Sequence, residues 1–529
     1  MANLAASTHE RCLFGAPSTQ RLRARSASAR NVSIVVPIAL SFLVSIGGSS
    51  CASDRDSSHE DEQFSTFPLD DTRPRGFSPS PCRLGIAPGF QAGLNARCGW
   101  MTVPAIRGVT DPRSIHLPVA RLAPAERDSD TPILVLVGGP GENASPTAGQ
   151  LTPDVVNALR REVIIFDQRG AGISIPEIPC AEFRSLHSPD DVPELLATCA
   201  RRLEFEGFDV AAYSLGENVL DIVGLLDALE ISQVILLGIG HGTSVALQVA
   251  HDHPTRVEAL VLDSAVLPTD DAPLELPGAL ERALASVIAT CEEDPSCGSR
   301  FPELGAALDR SLSAMLASDL DWPGRVRAPR LTYDEYVDGL IYHLTSSPRP
   351  VSDTAVYITE LDAAIAAGTI PGRLNDGVRR ATTAPIRTSP LHFTTVCEDY
   401  RGVSAERFSA RLEDARPTLR PFLDARDQAL RDACARWPSP RRNRGTIRLG
   451  SITAPTLVLA SPFDVHAPLE WGEHVAASVA RGAILEVEEA AHGVVLSAER
   501  GCAVDTVHGF IQTRDPAGTQ NRCPKRVQP

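Results

Sequence analysis

Lysine is nearly missing from this chain. Of its 50 basic residues only Lys525 is a lysine, and the rest are arginine. We read that bias as a codon trait of a GC-rich genome and attach no chemistry to it. A surplus of positive charge is missing too. The formal charge is −16 over 529 residues, and residues 1–50 carry five arginines (Arg11, Arg21, Arg23, Arg25, Arg30) against Glu10, so the remainder stands near −20. A balance that acidic argues against nucleic acid as a partner, because a phosphate backbone is held by a basic face. No C-x-x-C pair and no H-E-x-x-H occurs. Zinc therefore has little support, and no metal or organic cofactor is expected. Internal repeats and coiled-coil heptads are absent as well.

Long apolar runs are scarce. The most continuous is Val32–Ile46, interrupted by Ser33, Pro37, Ser41 and Ser45. It is too short to span a bilayer comfortably and suits the apolar core of a signal peptide. Arg21, Arg23, Arg25 and Arg30 precede it, and Gly47, Gly48, Ser49 and Ser50 lead to Cys51. We read residues 1–51 as an export signal. The small residues before Cys51 fit a lipobox, although Gly48 stands where an aliphatic residue is usual. Lipidation at Cys51 and plain cleavage both stay open. Export places the chain in the cell envelope or outside it, with membrane contact only through a lipid on Cys51. Residues 52–81 are rich in Ser, Asp, Glu and Pro and read as a flexible tether.

Apolar residues make up 43% and charged residues 22%, enough for a sizeable core. Of the 12 cysteines, Cys12 precedes the apolar run and Cys51 is the lipidation candidate. Ten remain: Cys82, Cys98, Cys180, Cys199, Cys291, Cys297, Cys397, Cys434, Cys502 and Cys523. An even number in an exported chain predicts disulfides. Joining nearest neighbours would give 82–98, 180–199, 291–297, 397–434 and 502–523, a connectivity that sequence alone leaves open.

Short apolar runs at Ile133–Val137, Val163–Phe166, Val234–Leu237, Val257–Leu262, Thr456–Leu459 and Ile484–Val487 read as buried strands. Helical periodicity over Val219–Leu229 and Thr243–Ala250 falls between them. The alternation predicts an α/β fold with a mostly parallel sheet covered on both faces. Glycine-rich turns follow three of these strands: Gly138-Gly139-Pro140-Gly141, Asp167-Gln168-Arg169-Gly170-Ala171-Gly172, and Gly238-Ile239-Gly240-His241-Gly242. Ligands bind at such strand ends. Between Pro268 and Arg444 the pattern turns helical, over Gly278–Cys291, Glu303–Ala317, Tyr333–Leu344, Asp353–Ala367 and Leu419–Ala435.

In order and spacing these landmarks are similar to the secreted prolyl and tripeptidyl aminopeptidases of the α/β-hydrolase fold, over nearly all of 82–525. The match includes Cys98 with Val103-Pro104, the glycine turns, Ile173-Ser174 and Cys180. It continues through Leu262-Asp263, Pro268, Cys397-Glu398-Asp399, Cys434-Ala435-Arg436-Trp437-Pro438, Asp464 through Pro468, and Ala491-His492-Gly493. The resemblance implies an α/β-hydrolase core over 82–268 and 445–525, with a helical cap inserted over 269–444. It implies acyl transfer to a serine on a G-x-S-x-G elbow, with a histidine base and an orienting carboxylate.

On that pattern Asp464 is the acid and His492 the base. Gly240 holds the nucleophile position, where the serine is missing. The backbone N–H groups of Gly139 and His241 fit the oxyanion hole. Asp399, with Glu398 beside it, fits the site for a substrate's terminal ammonium. Ser244 lies one helical turn past the elbow and is the poorer substitute nucleophile; His241 has nothing else in its favour. Arg169 reads as a structural fork that holds loops. The expected ligands are short peptides with free N-termini, and acyl-enzyme catalysis should be strongly reduced or absent. A non-catalytic peptide-binding protein and an esterase-type hydrolase remain the alternatives.

Overall fold

Among the described residues, twelve strands follow one another along the chain: β1 (Gly76–Pro79), β2 (Asn95–Pro104), β3 (Ser114–Ala123), β4 (Ile133–Leu136), β5 (Val163–Phe166), β6 (Val234–Ile239), β7 (Val257–Asp263), β8 (Leu320–Asp321), β9 (Arg330–Leu331), β10 (Thr456–Ala460), β11 (Gly482–Val487) and β12 (Arg522–Cys523). The computed structural model describes residues 76–84, 94–108, 113–185, 191–266, 272–321, 330–368, 389–438, 447–488, 490–495 and 501–523. The expected signal over 1–51 with Cys51, the first part of the tether, and Pro268 lie outside the described residues.

Ten strands form one sheet in the order β1-β2-β3-β5-β4-β6-β7-β10-β11-β12. From β5 to β12 every pairing is parallel, while β1, β2 and β3 run antiparallel and β3 meets β5 antiparallel. The parallel centre is buried on both faces, and side chains on a strand alternate between them. Leu134, Leu136, Leu236, Leu260, Leu262 and Val458 join one apolar cluster, with the helices Leu215–Ala228 and His241–Asp252. Ile133, Val135, Ile235, Leu237, Val261 and Leu459 face the other way, against Pro153–Leu159 and Gly501–Thr513.

The core starts earlier than the sequence suggested. Gly76–Pro79 falls within the stretch read as a tether, yet it is the edge strand β1, paired with β2 from Gly76↔Thr102 to Pro79↔Gly99. A Cβ at Gly99 would strike Ser78 O and the Phe77 ring, so the missing side chain is what lets β1 lie close. Neither β2 nor β3 was expected as a strand. Gly99 and Pro118 interrupt their apolar patterns, and such residues argue against strand in isolation.

The cap carries its own apolar cluster, built from helices Leu276–Glu293, Leu304–Ala317, Tyr333–Ser346 and Pro350–Ala367. Phe463 and Val465, from the loop after β10, belong to it. Helix Pro390–Tyr400 instead sends Leu391, Phe393 and Cys397 into the cluster of the sheet. Helix Arg420–Cys434 follows and is tied to it by Cys397–Cys434. The other disulfides are Cys82–Cys98, Cys180–Cys199, Cys291–Cys297 and Cys502–Cys523. Among the described residues no helix is long and apolar enough to cross a membrane.

Candidate active site

Strand β6 ends at Ile239 and a helix begins at His241, so the chain must reverse through one residue. That residue is Gly240, at φ 53° and ψ −121°. Only glycine adopts this conformation without strain. The turn is tied to the next strand by Gly240 N–H donating to Asp263 O at 2.9 Å. Its carbonyl accepts from Thr243 N at 2.9 Å and Thr243 Oγ1 at 2.6 Å. Gly238 and Gly242 make the reversal tight, since a Cβ on Gly238 would meet Gly242 O at 2.6 Å.

The loop after β10 carries Asp464 and the loop after β11 carries His492. His492 Nδ1 donates to Asp464 Oδ2 at 2.8 Å. Asp464 Oδ1 accepts from the backbone N–H groups of His466 at 2.9 Å and Ala467 at 3.0 Å. Burial alone would raise the Asp464 pKa, but the His492 charge and these hydrogen bonds outweigh it and hold the carboxyl below its usual range. For His492, burial disfavours the imidazolium, yet Asp464 outweighs that and raises its pKa. The His466 ring lies edge-on to His492, with centroids 5.8 Å apart.

Nε2 of His492 faces the elbow. A Cβ built on Gly240 would lie 2.6 Å from Nε2, 3.0 Å from Cε1 and 3.6 Å from the Cα of Gly138. The ring thus takes up space that a side chain at position 240 would need. It is still 22% exposed, so it stands at a surface a ligand can reach.

Several residues fix the histidine loop. Asp263, at the end of β7, accepts from Val494 N at 2.7 Å and Val495 N at 2.6 Å. Ser264 Oγ accepts from Gly493 N at 3.0 Å. His492 N–H donates to Thr345 O at 3.1 Å, which joins the loop to a cap helix. Sequence reasoning used Asp263 only as a landmark at the exit into the cap. Its partners lie more than 200 positions away, so no local signal marks this role.

The Gly138–Gly141 turn is held from two sides. Asp167 is buried and accepts from Ala144 N at 2.7 Å and Ile173 N at 2.8 Å, which ties this turn to the one at 167–173. Burial pushes its carboxyl up to about 6 despite those bonds. From the cap, Ser389 Oγ donates to Gly170 O at 2.6 Å and His392 Nδ1 lies 3.2 Å from Pro140 O. Arg169 is fully buried and forks onto Asp221, Nε to Oδ2 and Nη2 to Oδ1, both at 2.7 Å. Its Nη1 also donates to Ala105 O and Ala212 O.

The structure brings together Gly240, His492 and Asp464, with Gly138 beside them, so Gly139 and His241 lie next in chain to atoms of the site. His241 opens its helix, which puts its backbone N–H at the positive end of the dipole. Glu398 and Asp399 sit near the end of helix Pro390–Tyr400, buried and half-buried respectively. The helix rise puts them roughly 9–11 Å along the axis from His392. Ser244 is buried within its helix, and its Oγ finds no partner among the described residues. The only metal-capable group among them includes Cys180 and Cys199, which are already joined to each other.

A ten-stranded, mainly parallel sheet with a tight strand–turn–helix elbow and a histidine–carboxylate pair on the later loops defines an α/β-hydrolase. A family model described as alpha/beta hydrolase fold matches residues 131–297, and one described as TAP-like protein matches residues 420–523. The chain is 25% identical over 482 residues to serine protease Hip1 of Mycobacterium tuberculosis, covering 83% of this chain and 90% of that one. It is 31% identical over 154 residues to proline iminopeptidase of Neisseria gonorrhoeae, covering 28% of this chain and 38% of that one. The crystal structure of proline iminopeptidase from Mycobacterium smegmatis aligns with a TM-score of 0.41 at 16% identity, over 79% of this chain and 98% of that one. The chain has the α/β-hydrolase fold, and the relatives it is similar to include a serine protease and a proline iminopeptidase.

Proposed function

We propose that this is an exported protein that takes short peptides by their free N-terminus and does not perform serine acyl transfer. One observation carries the reading: Gly240 stands at the elbow with the His492–Asp464 pair intact beside it. In this reading Asp464 orients His492. His241 and Gly139 offer backbone N–H groups to a substrate carbonyl. Asp399 and Glu398 take the terminal ammonium, where a carboxylate gives a strong charge-assisted bond. The relatives named serine protease and proline iminopeptidase support a peptide ligand. Five disulfides support export.

Without the hydroxyl there is no acyl-enzyme on residue 240. Losing one triad member leaves only the roughly 10³–10⁴-fold that binding and an oxyanion hole supply over water. The test compares the mature protein with Gly240→Ser on unblocked prolyl, alanyl and tripeptidyl chromogenic substrates. Turnover by the variant alone, with calorimetric peptide binding by both and loss of binding in Asp399→Ala, is the expected result. Comparable peptide turnover by the natural chain would overturn it.

A further inference from the structure

The imidazole of His492 crowds the position an elbow keeps for its nucleophile. A carbon on Gly240 would come within 2.6 Å of Nε2, so a hydroxyl on that carbon would compete for the space the ring nitrogen holds. We infer that Nε2 of His492 is itself the acyl-accepting atom, and that this site hydrolyses activated acyl esters and thioesters through an acyl-imidazole. The inference rests on the elbow and the dyad, and is independent of how peptides bind.

Three features fit that role. Asp464 holds the proton on Nδ1, which leaves the lone pair of the neutral ring on Nε2. The side chain is 22% exposed, so an acyl group can reach it. The ring faces the elbow, where a Cβ on Gly240 would lie 2.6 Å from Nε2 and 3.6 Å from the Cα of Gly138; the next residues in chain, His241 and Gly139, carry N–H groups that suit a developing oxyanion. Ser244, the nearest hydroxyl on the helix, is 1% exposed.

The chemistry balances with water as the only co-reactant. The Nε2 pair bonds to the acyl carbon, and the carbonyl pair moves to oxygen. When that oxyanion collapses, the bond to the leaving group breaks, and a phenolate or thiolate departs with the electron pair. The ring becomes an N-acylimidazolium whose charge faces Asp464. Water then adds to the acyl carbon and gives up a proton, which the departed phenolate or thiolate takes up through solvent, and Nε2 departs with its pair as neutral imidazole. The sum is ester plus water giving acid plus phenol, or thioester plus water giving acid plus thiol.

The same chemistry sets the substrate class. In a serine peptidase the histidine hands its proton to the departing amine. Here the histidine is spent as the nucleophile and cannot also serve as that acid. An amine leaves far less readily than imidazole, so an amide adduct collapses back. Phenolates and thiolates need no such proton.

The experiment uses the mature natural protein and a series of aryl acetates and acetyl thioesters, with hydroxylamine as a competing acceptor. A shared acyl-imidazole predicts one hydroxamate-to-acetate ratio whatever the leaving group. It also predicts an acetyl group on the His492 peptide in rapid-quench mass spectrometry. His492→Gln should lose the activity by about 10²-fold or more. A ratio that changes with the leaving group would overturn the inference in favour of base-activated water. Acetylation at another residue, or a rate no greater than that of equimolar free imidazole, would overturn it as well. Peptide binding measured on the same protein separates this failure from that of the peptide reading.

Discussion

Asp263 accepts the backbone N–H of Val494 at 2.7 Å, bridging the end of β7 to the loop just after His492. The same carboxylate takes Val495 N at 2.6 Å, so one buried side chain sets the path of the histidine loop. Asp263→Ala leaves two amides unsatisfied, at roughly 1–3 kcal/mol each. Urea unfolding should show that loss, and His492 reactivity toward acyl donors should fall with it. Unchanged stability would mean that other groups hold the loop.

Gly240→Ser should fold less stably than the natural chain. A side chain at φ 53° is strained, at about 1–3 kcal/mol, and His492 must also withdraw from its Cβ. The check is a lower midpoint in urea together with a shifted His492 imidazole resonance by NMR.

The pH dependence of acyl-ester hydrolysis has a definite sign. Asp464, Asp263 and Glu142 all favour the His492 imidazolium, and the edge-on His466 is the other titratable ring beside it. The neutral, nucleophilic form therefore gains only above the ordinary imidazole value of 6.5, and the rate should rise with pH through a midpoint beyond it. Asp464→Asn should move that midpoint down, while substitution of the distant Asp128 should not. For stability, the raised His492 pKa makes a contribution that is full below 6.5 and fades as pH rises through the folded-state value.

Arg169→Met should destabilise the fold by roughly 3–5 kcal/mol, because it leaves Asp221 as a buried charge short of its main partner. Arg107 Nη2, at 2.6 Å from Asp221 Oδ1, keeps part of the pairing. Thermal melts of Arg169→Met and of the double variant with Asp221→Leu test this. The double variant should recover part of the loss.

Loop length ranks the disulfides. Opening Cys397–Cys434, with a separation of 37 residues, should cost roughly 4 kcal/mol. Opening Cys291–Cys297, with a separation of 6, should cost roughly 2 kcal/mol. Paired Cys→Ser variants compared in denaturant would show whether the order holds.

The parallel centre was legible because β4 to β7, β10 and β11 are short apolar runs ending in turn residues. The glycine turns, Asp464 and His492 were legible because they recur in a fixed order at strand ends. Strands β1 to β3 were not. β1 lies in a Ser- and Pro-rich stretch, and Pro118 sits inside β3, where the ladder from Asn95↔Ala123 to Pro104↔Ser114 reveals the strand. Helix Pro390–Tyr400 lacks a clear apolar stripe, since both faces are covered. The supports from Asp263, Thr345 and Ser389 are contacts between distant parts of the chain, which no local pattern encodes.

The crowding at Gly240 also bears on history. A single base change can turn some glycine codons into serine, so the step to a hydroxyl is short in sequence. It is not short in space, because a ring now sits where the new side chain must go. A serine there would have to displace a neighbour anchored through Asp464 and Thr345. A hydroxyl at residue 240 therefore requires a shift of the His492 ring as well as the substitution itself.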